Sequence, residues 1–454
     1  MNMDTNKNLK LLSEASTSKA LFKLGIPTMI GMMVSALYNL VDAYFVGTLG
    51  TSQQAAVAAV FPLGLVMLGV GLLFGSGAGS YLSRLLGDGQ RQKADECAST
   101  AIALAVISAI VIVGIMLAAM NPLLRLLGCT ETMLPYAREY GIPFILGLVV
   151  NVFNATMSNL ATGEGAPMYS MRSMLLGGVS NIILDPLLIT TFHMGVFGAA
   201  IATLISRLIS FSAYLLYIFQ KKSSIHFSVK NISPNKKLLT EIAKIGIPTC
   251  VYQLLCSVAL SVMNNLALPY GDAAIAAVGI VSRIITLGFM TIMGFLKGYQ
   301  TFVGFNYGAG NYARVRSATQ TAILWTTIFC AVSCGAMLLF RVPLILAFNK
   351  NDPMVLTIGT KALVFQAFTF LTAGFQYVYT TKFMGLGKGM EGSLVSLGRQ
   401  GFFFLPFIYL FTKIWGLNGL ILAQPTADIL SLLLVVFLAG KNKKEEKIIL
   451  ARAV

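Results

Sequence analysis

Charged residues are scarce in this sequence. Of its 454 residues only 11% are Asp, Glu, Lys or Arg, whereas 56% are hydrophobic. A soluble domain usually carries about a quarter charged residues. The scarcity of charge therefore excludes an ordinary water-soluble domain and points to a membrane protein.

The residue types that build metal and catalytic sites are also few. The chain has two histidines, and its six cysteines are scattered without a CxxC pair. Zinc sites need closely spaced Cys and His ligands, so we expect no structural metal and no cofactor. No nucleotide-binding motif is present, which argues against ATP as an energy source on this chain. No His/Glu metal pair, Ser-Lys dyad or cluster of catalytic acids supports an enzyme.

Acidic residues are outnumbered by basic ones, 17 against 33, which gives a formal net charge of +16. No surface module of basic and aromatic residues accompanies this charge, so we expect no nucleic-acid partner. The Lys and Arg residues lie mainly in the N-terminal tail, in alternate loops and at the C-terminus. This is the distribution that the positive-inside rule describes. We therefore predict that both termini are cytoplasmic and, because no cleavage site follows the first apolar run, that this run is a retained span.

Long apolar runs recur along the chain, and each is long enough to cross a bilayer, which takes roughly 20 residues. The predicted spans are 24–46, 54–77, 97–119, 136–159, 168–191, 195–219, 245–266, 276–299, 318–339, 357–380, 391–413 and 416–439. The pattern predicts an all-α polytopic membrane protein with about twelve transmembrane helices. The loops are mostly short, so neighbouring helices are expected to be antiparallel.

The sequence repeats itself. The segment Gly25–Thr28 (GIPT) returns as Gly246–Thr249, an offset of 221 residues, and Gly195 and Gly198 return as Gly416 and Gly419 at the same offset. We predict two lobes of six helices, residues 1–222 and 244–454, joined by a cytoplasmic linker, 223–243. Because six is an even number, both copies enter the membrane from the same side. The lobes should therefore be related by a pseudo-two-fold axis along the membrane normal, and transporters place their substrate between such halves.

Ionisable residues inside a span are candidates for function, since each costs about 2.5–3.5 kcal/mol at the bilayer centre on insertion scales. Asp42 lies in the first predicted span, and Tyr38 is four residues before it. Asp185 lies in the fifth, and Asn181 is four residues before it. Residues four apart share a helix face. The pairs therefore present carboxylate, amide and hydroxyl oxygens together, which is good chemistry for a hard cation.

Depth in the membrane places these residues at a similar level. From the predicted span ends, Asp42, Asp185 and Thr203 lie roughly 6, 9 and 12 Å below the outer surface at 1.5 Å per residue. We expect them to share one pocket of the N-terminal half, where a coupled carboxylate pair can exchange H⁺ or a transient Na⁺ for a cationic substrate. The alternative is a structural role, in which each acid forms a hydrogen bond with a neighbouring helix.

The C-terminal half lacks matching acids. At the 221-residue offset Asp42 corresponds to Met263, and the half is polar but mostly uncharged, with Gln253 among its amides. Arg399 lies within the eleventh span and is expected either to pair with a carboxylate or helix end or to reach the interface. Asp428 in the twelfth span is a second candidate, either functional or structural.

The sequence resembles the multidrug and toxic compound extrusion (MATE) family over nearly the whole chain. The resemblance is carried by the Gly-Ile-Pro openings of both halves and by four further segments, Tyr38–Gly47 (YNLVDAYFVG), Gly163–Gly165 (GEG), Asn181–Pro186 (NIILDP) and Ser396–Gln400 (SLGRQ). The acids of the first half, together with Arg399, are similar to the DinF-like bacterial branch.

This resemblance implies a two-lobe antiporter of the bacterial inner membrane that expels organic cations and amphipathic drugs in exchange for H⁺ or Na⁺. By position, Asp42, Asn181, Asp185 and Thr203 match the cation site of that branch, with Tyr38 nearby. Ser158 stands where the branch often has an asparagine, with Asn154 and Asn159 as possible substitutes. Arg399, Asn154 and Gln253 are further candidates for substrate contact or gating, and we expect the chain to act as a monomer.

The alternative within the same superfamily is a flippase for a lipid-linked saccharide. A flippase favours a more basic central cavity and often more spans, whereas the buried charge identified here is mainly acidic. Antiport is therefore the preferred prediction.

Overall fold

The structure, a computed structural model, describes residues 3–349 and 352–452. Every regular element within those ranges is helical. In the same ranges twelve helical segments are long and apolar enough to cross a membrane. The prediction of an all-α polytopic protein with twelve spans is thereby confirmed.

The first half of the chain forms a short helix, α1 (Met3–Ser13), and a bundle that we call the N lobe. The helices of the N lobe are α2 (Thr17–Gly47), α3 (Thr51–Gly87), α4 (Arg91–Ala118), α5 (Met120–Leu126), α6 (Leu134–Gly163), α7 (Pro167–Pro186) and α8 (Gly195–Phe219). A π-helical turn, Leu187–Thr191, continues α7. All but the short α5 are spanning helices.

The second half forms a matching bundle, the C lobe. Its helices are α9 (Lys236–Ala267), α10 (Asp272–Gly308), α11 (Tyr312–Leu339), α12 (Arg341–Leu346), α13 (Pro353–Gly385), α14 (Gly389–Leu397), α15 (Phe404–Trp415) and α16 (Leu417–Arg452). A π-helical turn, Gly398–Phe402, joins α14 and α15 into one span.

The repeat seen in the sequence is also visible in the backbone. The short helices α5 and α12 begin at Met120 and Arg341, which are separated by the repeat offset. Glycines with positive φ recur at this spacing or one residue more, as the pairs Gly50 and Gly271, Gly89 and Gly310, Gly165 and Gly387, and Gly195 and Gly416. Since other residues rarely adopt this conformation, the two halves use the same turns. The two-lobe architecture is confirmed.

The lobes touch where α2 and α9 begin and where α3 and α10 end, a region that we call the closed end. A Cβ atom on Gly246 of α9 would lie 1.9 Å from the carbonyl oxygen of Leu73 on α3. A Cβ atom on Gly308 of α10 would lie 2.1 Å from the carbonyl oxygen of Arg84. Only glycine permits such close approach of two backbones, which is the small-residue packing typical of membrane helices.

Helix α1 contacts both lobes at the closed end. The sequence predicted only a polar tail in this place. Leu12 is fully buried. Its carbonyl oxygen accepts hydrogen bonds from Asn306 Nδ2 and Arg314 Nη2 of the C lobe, each at 3.2 Å. On the N-lobe side, a Cβ atom on Gly165 would lie 2.9 Å from Leu12 Cδ1. Helix α1 therefore packs between the two lobes.

The segment between α8 and α9 is anchored to the N lobe by Glu164, which follows the end of α6. Glu164 is buried and accepts hydrogen bonds from Ser223 Oγ at 2.8 Å, from the backbone nitrogen of Ser224 at 2.6 Å and from the hydroxyl of Tyr217. Burial raises the pKa of Glu164 to about 7, although these donors act in the opposite direction. The predicted linker is helical from Lys236 onward, and its use as a lobe boundary stays a prediction.

Candidate functional site

Asp42 and Asp185, the two acids predicted from the sequence, lie inside the N lobe where α2 packs on α7. Gly178 makes this packing possible, because a Cβ atom there would lie 2.8 Å from Val34 Cγ1 and 3.4 Å from Tyr38 Cδ1. The close approach occurs about two turns before Asp185 on α7 and one to two turns before Asp42 on α2. Asp42 is near enough for its charge to act on Asp185. The structure therefore brings the two predicted acids into one electrostatic environment.

The end of α7 holds Asp185 in a defined position. Asp185 is fully buried, and Asn181 is 2% exposed. Asn181 Nδ2 donates a hydrogen bond to Asp185 Oδ1 at 3.1 Å, as expected for residues four apart on a helix. Pro186 follows directly and cannot donate a backbone hydrogen bond, and the helix continues as the wider π-helical turn.

Within the described residues, four buried side-chain oxygens of this region have no hydrogen-bond partner. They are Asp42 Oδ1, Asn154 Oδ1, Asn181 Oδ1 and Asp185 Oδ2. A buried acceptor without a donor is costly, and hard cations prefer oxygen ligands. Protons on the carboxylates or a small cation would satisfy these atoms. In the described part of the chain no group of three or more His, Cys, Asp or Glu residues could hold a metal ion.

Arg207 on α8 is a member of this site that the sequence reasoning missed. Its charge acts on Asp42. Its guanidinium lies 4.8 Å from the ring centroid of Phe144 and donates a 3.4 Å hydrogen bond to the carbonyl oxygen of the same residue. The rule that selected Asp42 and Asp185, an ionisable residue inside a span, also applies to Arg207. With two carboxylates and one guanidinium, the site carries one excess negative charge when all three are ionised.

The other N-lobe candidates surround this arrangement. Asn154 Nδ2 donates to the carbonyl oxygen of Arg207 at 2.9 Å and so ties α6 to α8. Tyr38 is one turn before Asp42 on α2, where Arg207 and Asp42 both act on it. Thr203 is half-buried on α8, one turn before Arg207. Among the described residues it has no hydrogen bond to either carboxylate, so its place in the cation site stays a prediction.

Three residues of α6, Ser158, Asn154 and Asn159, are candidates for the asparagine position of the cation site, and they have different surroundings. Ser158 is buried and shares a 2.5 Å hydrogen bond with Ser170. Asn159 lines a cavity between the lobes rather than the pocket of the acids. Of the two proposed substitutes, Asn154 is therefore the one that belongs to the acid site.

In the C lobe Arg399 pairs with Asp428, which is the first of the two alternatives given for Arg399, whereas the choice between a functional and a structural role for Asp428 stays open. Arg399 Nε donates to Asp428 Oδ1 at 2.6 Å, and both side chains are buried. Tyr377 contacts the guanidinium through its hydroxyl, and the Phe289 ring centroid lies 4.5 Å from the guanidinium carbon. Gln424 Nε2 donates to the same carboxylate oxygen at 2.9 Å. The pair is neutral as a unit and satisfied by neighbours.

Gln253 is half-buried on α9 of the C lobe. In the described residues no hydrogen bond joins its side chain to Arg399 or Asp428. The structure therefore separates the predicted candidates into an N-lobe set around the acids, a C-lobe ion pair and Gln253.

Comparison with protein families finds a match to the MatE family model at residues 27–187 and 248–410. The two matched segments fall in the two lobes. The chain is also 29% identical to the multidrug export protein MepA of Staphylococcus haemolyticus, over 95% of each chain.

Solved structures give the same similarity. A crystal structure of MATE in complex with MaL6 superposes with a TM-score of 0.91 at 27% identity and covers 96% of this chain and 98% of that one. The outward-facing conformation of a multidrug resistance MATE family transporter of the MOP superfamily superposes with a TM-score of 0.90 at 28% identity, with the same coverage.

Proposed function

Because the chain belongs to the MatE family and is a multi-pass membrane transporter rather than an enzyme, we propose that it is a secondary-active antiporter. It exports organic cations and amphipathic drugs in exchange for H⁺ or Na⁺. The exchange takes place at Asp42 and Asp185. Asn181, Asn154 and Tyr38 complete the site.

This proposal is supported above all by the four buried oxygens that find no hydrogen-bond donor in the part of the chain that the structure describes. A site that must release its ion cannot satisfy all its acceptors with permanent protein donors. Protons or Na⁺ supply the missing partners in one half of the cycle, and the cargo cation supplies the positive charge in the other. Competition for the same carboxylates then couples the two fluxes.

The charge of the site supports cations as cargo. Arg207 contributes one positive charge against the two carboxylates, so the site has a single excess negative charge for exchange. The relative from Staphylococcus haemolyticus is named a multidrug export protein, which supports a broad range of amphipathic substrates. The acids of the N lobe support this function over the flippase alternative, which favours a more basic central cavity.

Alternating access follows from the contact between the lobes. The lobes meet at the closed end, where α2 and α9 begin. We propose that this end faces the cytoplasm, with both termini, because the basic tail, central linker and C-terminus lie on that side. The cycle then requires the closed end to separate and the other end to close. The proposed setting is the bacterial inner membrane, with residues 1–222 and 244–454 as the moving units of a monomer.

The test is efflux of ethidium from energised vesicles that contain the purified chain. Asp42→Asn and Asp185→Asn should each abolish ion-coupled efflux, because a neutral amide cannot exchange a charge. Asp88→Asn is the matched control, since Asp88 is exposed in the turn after α3 and should keep wild-type rates. Wild-type rates in both site variants, at equal protein content, would overturn the proposed site.

The coupling ion is identified by imposing gradients separately. An inward Na⁺ gradient at equal pH, or a proton gradient without Na⁺, should drive efflux in the wild type. The effective gradient should be without effect in Asp185→Asn. Efflux that neither gradient accelerates would contradict antiport itself.

A further inference from the structure

A small polar cavity lies between the lobes in the half of the membrane next to the closed end. Its volume is about 20 Å³, enough for one water molecule or one small ion, since a water needs roughly 10–15 Å³ by this measure. Its polar lining comes from both lobes and includes Ser80, Ser83, Asn159, Lys297, Gln300 and Thr301. The cavity is far too small for a drug molecule.

Lys297 makes this cavity unusual. It lies within the spanning segment Ala273–Gly308. In the described part of the chain it takes part in no ion pair, and no hydrogen bond satisfies its ammonium group. The lining of the cavity among the described residues contains no Asp or Glu. Lys297 is half-buried, and a positive charge partly removed from water without a partner is unfavourable, so the missing counter-charge points to a mobile species.

The walls of the cavity are held together by hydrogen bonds that cross between the lobes. Ser80 Oγ of the N lobe donates to the carbonyl oxygen of Met384 at 2.6 Å. Thr301 Oγ1 of the C lobe donates to the carbonyl oxygen of Thr162 at 3.0 Å. Separation of the lobes at the closed end breaks both bonds. The cavity is therefore a feature of this conformation and opens when the closed end opens.

The cavity offers free hydrogen-bond donors from both lobes. Lys297 offers three N–H groups, and Gln300 offers an amide. Asn159 Nδ2 uses one of its two N–H groups on the carbonyl oxygen of Ala155 at 2.8 Å and keeps the other. A cation has no carboxylate to bind here, whereas an anion meets an ammonium group and amide donors from both lobes.

We propose that this cavity binds one small monovalent anion, of the size of a halide ion or a carboxylate group, between Lys297, Gln300 and Asn159. Because its donors come from both lobes, the bound anion stabilises the conformation in which the closed end is shut. The site is separate from the acids of the N lobe, and the inference does not depend on the proposed exchange at Asp42 and Asp185.

The test measures thermal unfolding of the full chain in detergent with bromide as the probe. Sodium bromide is compared with sodium gluconate at equal Na⁺ concentration, so that the acid site sees the same cation. Gluconate is too large for the cavity. The wild type should unfold about 1–3 °C higher in bromide, and crystals grown in bromide should give an anomalous peak beside Lys297.

Substitutions assign the effect to the cavity. Lys297→Met should abolish the bromide shift, and Lys297→Arg should keep most of it because the charge remains. Lys361→Met is the matched control, since Lys361 lies on α13 and donates to Asn418 Oδ1 at 2.7 Å. This control should keep the full shift. If Lys297→Met does not fold, Gln300→Met serves as the second variant and should raise the bromide concentration at half effect at least threefold.

An acetate arm distinguishes the two sources of an anionic group. A shift with both acetate and bromide assigns the site to carboxylates of a cargo as well as halides, and a shift with bromide alone restricts it to inorganic anions. Equal stability in bromide and gluconate, or a full bromide shift in Lys297→Met, would overturn the proposal. Asp42→Asn should keep the bromide shift while losing efflux, so that failure of the exchange site and failure of the anion site give different results.

Discussion

Arg207 and Asp428 occupy equivalent positions in the two repeats, at the same offset as Gly195 and Gly416, and they carry opposite charges. In the N lobe the guanidinium of Arg207 acts on Asp42, and among the described residues the two side chains form no ion pair. In the C lobe the carboxylate of Asp428 is bound directly by Arg399 at 2.6 Å. The same position of the repeat therefore carries a positive charge in the N lobe and a negative charge in the C lobe.

The consequence is an asymmetry between the lobes. The N-lobe site has two carboxylates for one guanidinium, together with unpartnered oxygens. The C-lobe site has one carboxylate for one guanidinium, and Gln424 satisfies the carboxylate further. An exchangeable charge is therefore expected in the N lobe, whereas the C-lobe pair holds α14–α15 against α16.

Arg207→Met should strengthen cation binding in the N lobe. Removal of the guanidinium leaves Asp42 and Asp185 without a counter-charge, so a bound cation is held more tightly and released more slowly. We expect at least a tenfold lower Kd for the coupling ion, which corresponds to about 1.4 kcal/mol, and slower efflux. Equilibrium binding of radioactive Na⁺, or of protons by titration, measures the change. Arg207→Lys should stay within a few-fold of wild type, and an unchanged Kd in Arg207→Met would contradict the role given to Arg207.

Arg399→Met should destabilise the C lobe, because it leaves the carboxylate of Asp428 buried and unpaired. Loss of one partner from a buried ion pair costs about 3–5 kcal/mol. The double variant Arg399→Met with Asp428→Asn removes both charges and lets the amide oxygen accept from Gln424, so it should recover most of the loss. Thermal unfolding of the single and double variants measures the coupling. A double variant no more stable than Arg399→Met would show that packing of the guanidinium on Phe289 and Tyr377 dominates.

Gly246→Ala should force the lobes apart at the closed end. The added methyl group would meet the carbonyl oxygen of Leu73, which is backbone and cannot turn aside. A cost of about 1–3 kcal/mol is expected for such overpacking. Hydrogen exchange of α3 and α9 should increase near the contact. Gly335→Ala on α11 is the control, since its added Cβ meets nothing within 4 Å, and it should be neutral or stabilise by about 0.5–1 kcal/mol. Equal behaviour of the two variants would refute the close contact.

Glu164 should make stability depend on pH. Burial raises the pKa of Glu164 from 4.5 to about 7 in the folded chain, so the folded state holds its proton more tightly than the unfolded state does. Stability is then fully present below pH 4.5 and falls by up to about 3 kcal/mol as pH rises to 7, after which the loss is complete. Thermal unfolding between pH 4.5 and 8 measures this dependence. Glu164→Gln should flatten it, whereas an unchanged profile would exclude Glu164 as its source.

The sequence by itself determined the fold class, the twelve spans and the duplication. A bilayer core without water demands about 20 apolar residues per helix and internal backbone hydrogen bonding, so composition and run length suffice. It also determined the pairing of Asn181 with Asp185, because residues four apart on one helix meet whatever the helix packs against. Asp42 was found because a carboxylate in a span is rare enough to stand out.

Only the tertiary structure decided which helix faces meet. The neighbourhood of Arg207 and Asp42, the bond between Arg399 and Asp428, and the cavity at Lys297 each join helices that are far apart in the sequence. Their geometry depends on the rotation and depth of each helix, which local pattern does not specify. The packing of helix α1 was likewise decided by the tertiary structure. Leu12 is buried between the two lobes, and this place exists only after the chain has folded.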